Sequence, residues 1–212
     1  MKEAAAAPIV FIVDDDHAVR DSLALLLGLR GYATASFDSG EALLADIAPD
    51  ARGCVLLDLR LTGMDGLRVQ TELGARGIHL PVIILTAHGD VPAARAALKA
   101  GAFDFLEKPV DDSAMLATID AALASEARAR TRTDRRAALR ARVARLTQRE
   151  REVLNLVVRG QHNREIAATL GISPRTVEVY KARLMDKLHV ERLPDLIRLA
   201  LDLEVIAPAD SR

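Results

Sequence analysis

Three short runs constrain the architecture of the first half of this chain. Ile9-Val10-Phe11-Ile12-Val13, Cys54-Val55-Leu56-Leu57 and Val82-Ile83-Ile84-Leu85 are nearly continuous in apolar residues and rich in β-branched ones. A strand with one face in water alternates apolar and polar residues. A run without alternation is buried on both faces, as in a parallel sheet covered by helices. Ala33–Phe37 and Phe103–Leu106 read as two weaker strands. Between the strands lie helical spacings: Val19, Leu23, Leu26 and Leu27; then Leu43, Leu44 and Ile47; then Leu116, Ile119 and Leu123. Five strands, each followed by a helix, predict a doubly wound α/β sandwich.

The second half has a different character. Residues 1–125 carry 10 Lys and Arg against 18 Asp and Glu, a balance of −8, whereas residues 126–212 carry 19 against 12, a balance of +7. An acidic half joined to a basic half suggests two tasks, the basic one facing a polyanion such as nucleic acid. Chance segregation of solvated charge is the plainer alternative. From Ala121 to Leu146 the chain is rich in Ala and Arg and lacks Gly and Pro, which predicts a linker helix continuing the last helix of the first domain. Leu139, Val143 and Leu146 have the spacing of a coiled coil; a dimer seam and a solvated helix both remain open there.

Four helices follow. Thr147 with Glu150 forms a capping box, and Gly160 ends that helix. Asn163 is placed to cap the second helix, and Gly171 ends it. Ser173, with Pro174 in the first turn, opens a third. Leu193–Leu203 supplies the fourth, and residues 207–212 are expected to be a disordered tail. No apolar run approaches the roughly 18 residues of a membrane span. The start of the chain lacks the blocks of a signal peptide, so the expectation is a cytoplasmic protein without membrane partners. Cys54 is the single cysteine, which excludes an internal disulfide and a Cys-rich metal site. It reads as buried core.

The chemistry-bearing residues of the first half stand at strand ends. Asp14, Asp15 and Asp16 follow the first strand, Asp58 ends the third, Thr86 ends the fourth, and Lys108 follows the fifth. In an open parallel sheet these positions gather around one crevice. Carboxylates so crowded repel one another unless a cation neutralises them, and an all-oxygen donor set suits Mg²⁺. Such an ion can offset the charge of a phosphoryl group, an Asp can accept that group covalently, and a Lys and a Thr can hold its oxygens. Asp16 by itself reads better as a helix cap.

Asn163–Leu188 reads as helix, turn and longer helix, the helix-turn-helix arrangement whose second helix enters the major groove. Val177, Leu184 and Leu188 fall on its inward face. Arg175, Thr176, Glu178, Val179, Ala182 and Arg183 are candidates for DNA contact, and Lys181, at the margin, suits a phosphate. Val179 and Ala182 are small enough to permit close approach to base edges.

Val13-Asp14-Asp15, the run Asp58-Leu-Arg-Leu-Thr-Gly-Met-Asp-Gly66, Leu85-Thr86-Ala87 and Glu107-Lys108-Pro109 resemble the signature set of receiver domains. Leu146–Leu154, Asn163–Ala167 and Ser173–Tyr180 resemble the LuxR-type DNA-binding domain. Together the two halves are most similar to the FixJ branch of the NarL/FixJ two-component response regulators. The resemblance implies a flavodoxin-like receiver with strand order 2-1-3-4-5 over residues 1–123, a helical linker over 124–145 and a four-helix DNA-binding domain over 146–206. It implies phosphorylation of Asp58 by a sensor histidine kinase, and Mg²⁺ bound by Asp14, Asp15, Asp58 and the Arg60 carbonyl. Lys108 and Thr86 would sense the phosphoryl group, with Phe105 as the aromatic switch. The phosphorylated chain would form a homodimer on double-stranded promoter DNA and act through RNA polymerase.

Thr62 stands where receivers usually carry Pro, which predicts a less rigid loop. Arg60 and His88 occupy positions that tune dephosphorylation in the family, and Tyr180 occupies a packing position often filled by His. Three other readings fare worse. A haloacid-dehalogenase-like phosphatase needs a second acid two residues after the nucleophile, and Arg60 is there instead. A phosphorylation-independent receiver leaves Asp58, Thr86 and Lys108 without a purpose. Dinucleotide binding lacks a Gly-x-Gly-x-x-Gly after a strand.

Overall fold

The computed structural model describes residues 7–86 and 91–202, excepting the side chains of 91–94, 201 and 202. His88 and the expected tail lie outside the described residues. Two compact units divide the chain at Arg130.

In the first unit, β1 (Ile9–Val13), β2 (Ala33–Phe37), β3 (Gly53–Asp58), β4 (Val82–Thr86) and β5 (Asp104–Glu107) alternate with α1 (His17–Leu29), α2 (Gly40–Asp46), α3 (Gly66–Ala75), α4 (Val91–Lys99) and α5, which begins at Asp112. The strands form one parallel sheet in the order β2-β1-β3-β4-β5. This is the expected doubly wound arrangement, and the period of two explains it. Val10, Ile12, Cys54, Leu56, Ile83 and Leu85 pack with Leu27 of α1 and Met115, Ile119 and Ala122 of α5. Their neighbours Phe11, Val13, Val55, Leu57, Val82 and Ile84 pack on the opposite face with α2, α3 and α4 through Leu43, Val69, Leu73 and Ala97. Each fully buried Leu or Ile contributes roughly 1.5–3 kcal/mol relative to exposure, so no helix is dispensable. β5 begins one residue later than its apolar run predicts. Phe103 still donates its amide to the Val82 carbonyl at 2.8 Å, just before the ladder starts.

The second unit contains α6 (Gln148–Val158), α7 (Asn163–Leu170), α8 (Pro174–Leu188) and α9 (Leu193–Asp202). Their core gathers Val153, Leu154, Ile166, Val177, Leu184, Leu188 and Leu196. The capping box at the start of α6 is formed: Thr147 and Glu150 satisfy each other's backbone amides. Ser173 caps α8 ahead of Pro174, and Gly171 is left-handed after α7. Asn163, expected to cap α7, is instead its first helical residue. The backbone amide of His162 donates to Glu165 Oε2 at 2.7 Å in that role.

Helix α5 runs unbroken from Asp112 to Ala144, across the division between the units. Val143 and Leu146 join the core of the second unit, a use that accounts for their apolar spacing without a dimer seam. Residues 132–138 are all exposed. Trypsin should therefore cut first at Arg132, Arg135, Arg136 or Arg140, each exposed, and leave two stable fragments. Mass spectrometry of a brief digest checks this, and a first cut inside either core would contradict it.

Candidate functional site

The ends of β1 and β3 bring three carboxylates together. Asp14, directly after β1 and 1% exposed, Asp15, and Asp58, the last residue of β3, offer oxygens within 4.8 Å of one another. Lys108, just beyond β5, completes the group. Its Nζ donates to Asp14 Oδ2 at 2.8 Å and to Asp58 Oδ2 at 2.6 Å. Burial alone would lower the Lys108 pKa, but the two carboxylates outweigh it and the net shift is upward.

Local backbone geometry holds each acid. The Asp16 amide donates to Asp14 Oδ1 at 2.9 Å, and Arg20 Nη1 donates to the Asp14 carbonyl at 2.7 Å. The Arg60 amide donates to Asp58 Oδ1 at 2.9 Å. Asp16 accepts from the Ala18 amide at 2.8 Å and caps α1, so it stands outside the cluster. Gly66 permits the close approach of α3 to the end of β3. A Cβ there would lie 2.6 Å from the Asp58 carbonyl oxygen, closer than any side chain is tolerated.

Thr62 behaves differently from the expectation of a looser loop. Its amide donates to Asp15 Oδ2 at 3.1 Å and its hydroxyl donates to the same oxygen. These donors, the hydroxyl first, hold the Asp15 carboxyl below the usual range. A proline could supply neither bond, so hydrogen bonds tether the loop where a ring would otherwise stiffen it. Glu41 of α2 adds a second tether by accepting the Met64 amide at 3.0 Å. Arg20 and Glu41 escaped the sequence reading because no spacing rule links a helix side chain to a loop it happens to approach.

Thr86 ends β4 and is buried; β4 pairs with β3 so that Asp58 lies opposite Leu85. The Lys108 amide donates to the Thr86 carbonyl at 2.8 Å, which ties the two loops together. Phe105 lies one strand further and is 38% exposed, turned outward rather than packed. The oxygen-only donors of Asp14, Asp15 and Asp58 fit a hard divalent cation, and Lys108, paired with Asp14 and Asp58, offsets only part of their negative charge.

In the second unit, α7, the turn at Gly171-Ile172-Ser173 and α8 form a helix-turn-helix. Val177, Leu184 and Leu188 are buried, as their spacing predicts, while Arg175, Glu178, Val179, Ala182 and Arg183 are exposed. Val179, 46% exposed, is the large apolar side chain on that face, beside the small Ala182. Thr176 is half-buried and engages Ser173 through both amide and hydroxyl, so it helps cap α8. Lys181 donates to Asn163 Oδ1 at 3.0 Å and couples α8 to the start of α7. Tyr180 packs against the core.

Comparisons with known proteins agree with both halves. Residues 10–120 match the family of response regulator receiver domains, and residues 144–200 match the luxR family of bacterial regulatory proteins. The transcriptional regulatory protein FixJ of Azorhizobium caulinodans is 49% identical over 201 residues, covering 95% of this chain and 95% of its own. FixJ of Rhizobium meliloti is 46% identical, covering 91% of this chain and 94% of its own. Among solved structures, the response regulator StyR is 39% identical with a TM-score of 0.84, over 93% of this chain and 100% of that one. Full-length FixJ from B. japonicum is 38% identical with a TM-score of 0.58, over 94% and 98%. A receiver sheet with its acidic cluster and a helix-turn-helix unit in one chain therefore make this protein a two-component response regulator of the NarL/FixJ family, FixJ-like in both halves.

Proposed function

We propose that Asp58 accepts a phosphoryl group from a sensor histidine kinase and that this modification drives dimerisation and binding to promoter DNA. The observation that carries the reading is Lys108 Nζ, placed between Asp14 and Asp58 at 2.8 and 2.6 Å. A fixed cation beside the acceptor stands where three anionic oxygens would arrive. In the transfer, an Asp58 carboxylate oxygen forms a bond to phosphorus. The bond from phosphorus to the kinase histidine nitrogen breaks, and the electron pair stays on that nitrogen. Asp14, Asp15, Asp58 and the Arg60 carbonyl would hold Mg²⁺, which when bound offsets the negative charge of the phosphoryl oxygens. Lys108 and the Thr86 hydroxyl then hold those oxygens, and Phe105 turns inward behind Thr86.

The exposed Leu98 on α4 and Phe105 on β5 support an α4-β5-α5 dimer face. Each copy would present Arg175, Thr176, Glu178, Val179, Lys181, Ala182 and Arg183 to one half-site, with recruitment of RNA polymerase as the readout. Residues 1–123 serve as receiver, 124–145 as linker and 146–206 as DNA reader, acting where the DNA is, in the cytoplasm. No described helix is long and apolar enough to cross a membrane. The chain works as a regulator rather than a phosphatase, since Arg60 replaces the second acid such an enzyme needs.

Treatment with acetyl phosphate and Mg²⁺ should double the mass seen by light scattering and raise DNA affinity by about tenfold or more. Unchanged mass and affinity would overturn the gating and leave a DNA-binding regulator with an idle receiver.

A further inference from the structure

At the other end of the sheet from Asp58, where β4 begins, the first unit contains a cavity of about 380 Å³. Its walls come from α3, the segment leading into β4, the turn after α4, and α5. That volume lies in the range of small-molecule sites. The walls mix apolar side chains, Leu73, Ile78, Leu80 and Val82, with polar ones, and two of the polar groups are buried and incompletely paired.

The first is Gln70, 7% exposed. Its Nε2 faces the Ala97 carbonyl at 3.5 Å, which fixes the amide so that Oε1 is the free end. That oxygen is fully buried and has no hydrogen-bond partner. An orphaned buried acceptor costs about 1–3 kcal/mol, so it marks either strain or a missing donor. The second is Glu126 of α5, also 7% exposed. Its carboxylate makes no hydrogen bond among the described residues. Glu126 Oε1 forms an ion pair with Arg130 Nη1 at 3.7 Å, longer than a hydrogen bond, and the same nitrogen donates to the Asp50 carbonyl at 3.2 Å. Both groups are acceptors. A partly apolar chamber with two incompletely paired acceptors, one of them anionic, calls for a guest that donates hydrogen bonds and carries positive charge.

We propose that this cavity binds a small organic cation, an ammonium or amidinium on an apolar body, with its charged head on Glu126 and a second N–H on Gln70 Oε1. His79 and Ser125 also line the cavity, and the apolar walls take the body. Nothing in the phosphorylation chemistry uses this end of the sheet. Success or failure here is therefore independent of the reading of Asp58.

The test uses the full-length protein and benzamidinium chloride as probe, followed by calorimetry. Saturable one-to-one binding in the millimolar range or tighter is expected, with neutral benzamide about tenfold weaker. Glu126→Gln should weaken benzamidinium by about tenfold, since a charge-assisted bond becomes a neutral one. Gly74→Met is the structural control. Gly74 lines the cavity, and a Cβ there would meet nothing within 4 Å. The longer side chain should fill the chamber, abolish binding and leave the melting temperature equal or higher, because Gly is a poor helix former. No saturation by about 20 mM probe, a range in which even weak millimolar sites fill, would overturn the proposal. So would equal binding by benzamide, or binding undiminished in Gly74→Met or Glu126→Gln.

Discussion

Asp58→Asn should cut phosphoryl incorporation from acetyl phosphate or a phosphorylated kinase by about a thousandfold or more, because an amide oxygen is not a competent nucleophile. The replacement has the same shape, so the Arg60 amide can still donate to the remaining side-chain oxygen, as it does to Oδ1 at 2.9 Å. Lys108 keeps its other partner, Asp14, at 2.8 Å. The fold should therefore survive while the chemistry disappears, and the dimer and the gain in DNA affinity should go with it. Intact-mass measurement after acetyl phosphate treatment reads the result directly. Modification of the variant at the wild-type level would show that another residue is the acceptor.

Lys187→Met should markedly destabilise the second unit. Glu150 is 3% exposed, and Lys187 Nζ sits 2.7 Å from its Oε2. Removing one partner of a fully buried ion pair costs about 3–5 kcal/mol. Lys187 itself is 37% exposed, so solvent screening brings the expectation down to about 2–3 kcal/mol. For a domain of this size that corresponds to a loss of roughly 10–20 °C in melting temperature. The pH dependence supplies a sharper signature.

Burial by itself would raise the Glu150 pKa. Lys187 and the Thr147 amide outweigh it, and the folded value lies below the ordinary 4.5. The wild type therefore holds this stabilisation above pH 4.5 and loses it as pH falls through the depressed folded value. Without Lys187, burial is opposed only by the Thr147 bonds, and the Glu150 pKa should rise from its wild-type value. The variant should then be weakest near neutral pH and close on the wild type as the medium is acidified. Melting curves at neutral pH and at pH 4–5 check this. A gap that stays constant with pH would show that lost packing, not charge, carries the effect.

The parts of this molecule that were legible in its sequence are those governed by periodicity or punctuation. β1, β3 and β4 follow from apolar runs too continuous for a half-exposed strand, and α6 and α8 follow from their caps. Asp14, Asp15, Asp58 and Lys108 could be grouped beforehand because strand ends in a parallel sheet share one rim. Helices α3 and α4 were implied only by the alternation of elements. In α3 the buried side chains are few, and one of them is the polar Gln70. Contacts between distant segments left no trace in local pattern. The Thr62 bonds to Asp15 join a loop to a strand end 47 positions earlier. The Lys181 bond to Asn163 joins the third helix of the second unit to the start of the second, 18 positions earlier. Glu126 carried no signal in the sequence, and its burial within α5 shows only in the fold.

The exposed stretch 132–138 of α5 has an evolutionary meaning. Neither core borrows a side chain from those seven positions, so a recombination joint placed there would disturb no packing on either side. A signal-receiving half from one lineage could be grafted onto a promoter-reading half from another at that point. The crossover would need only to keep the helix continuous, which makes the arginine-rich segment a natural place for new input–output pairings to arise.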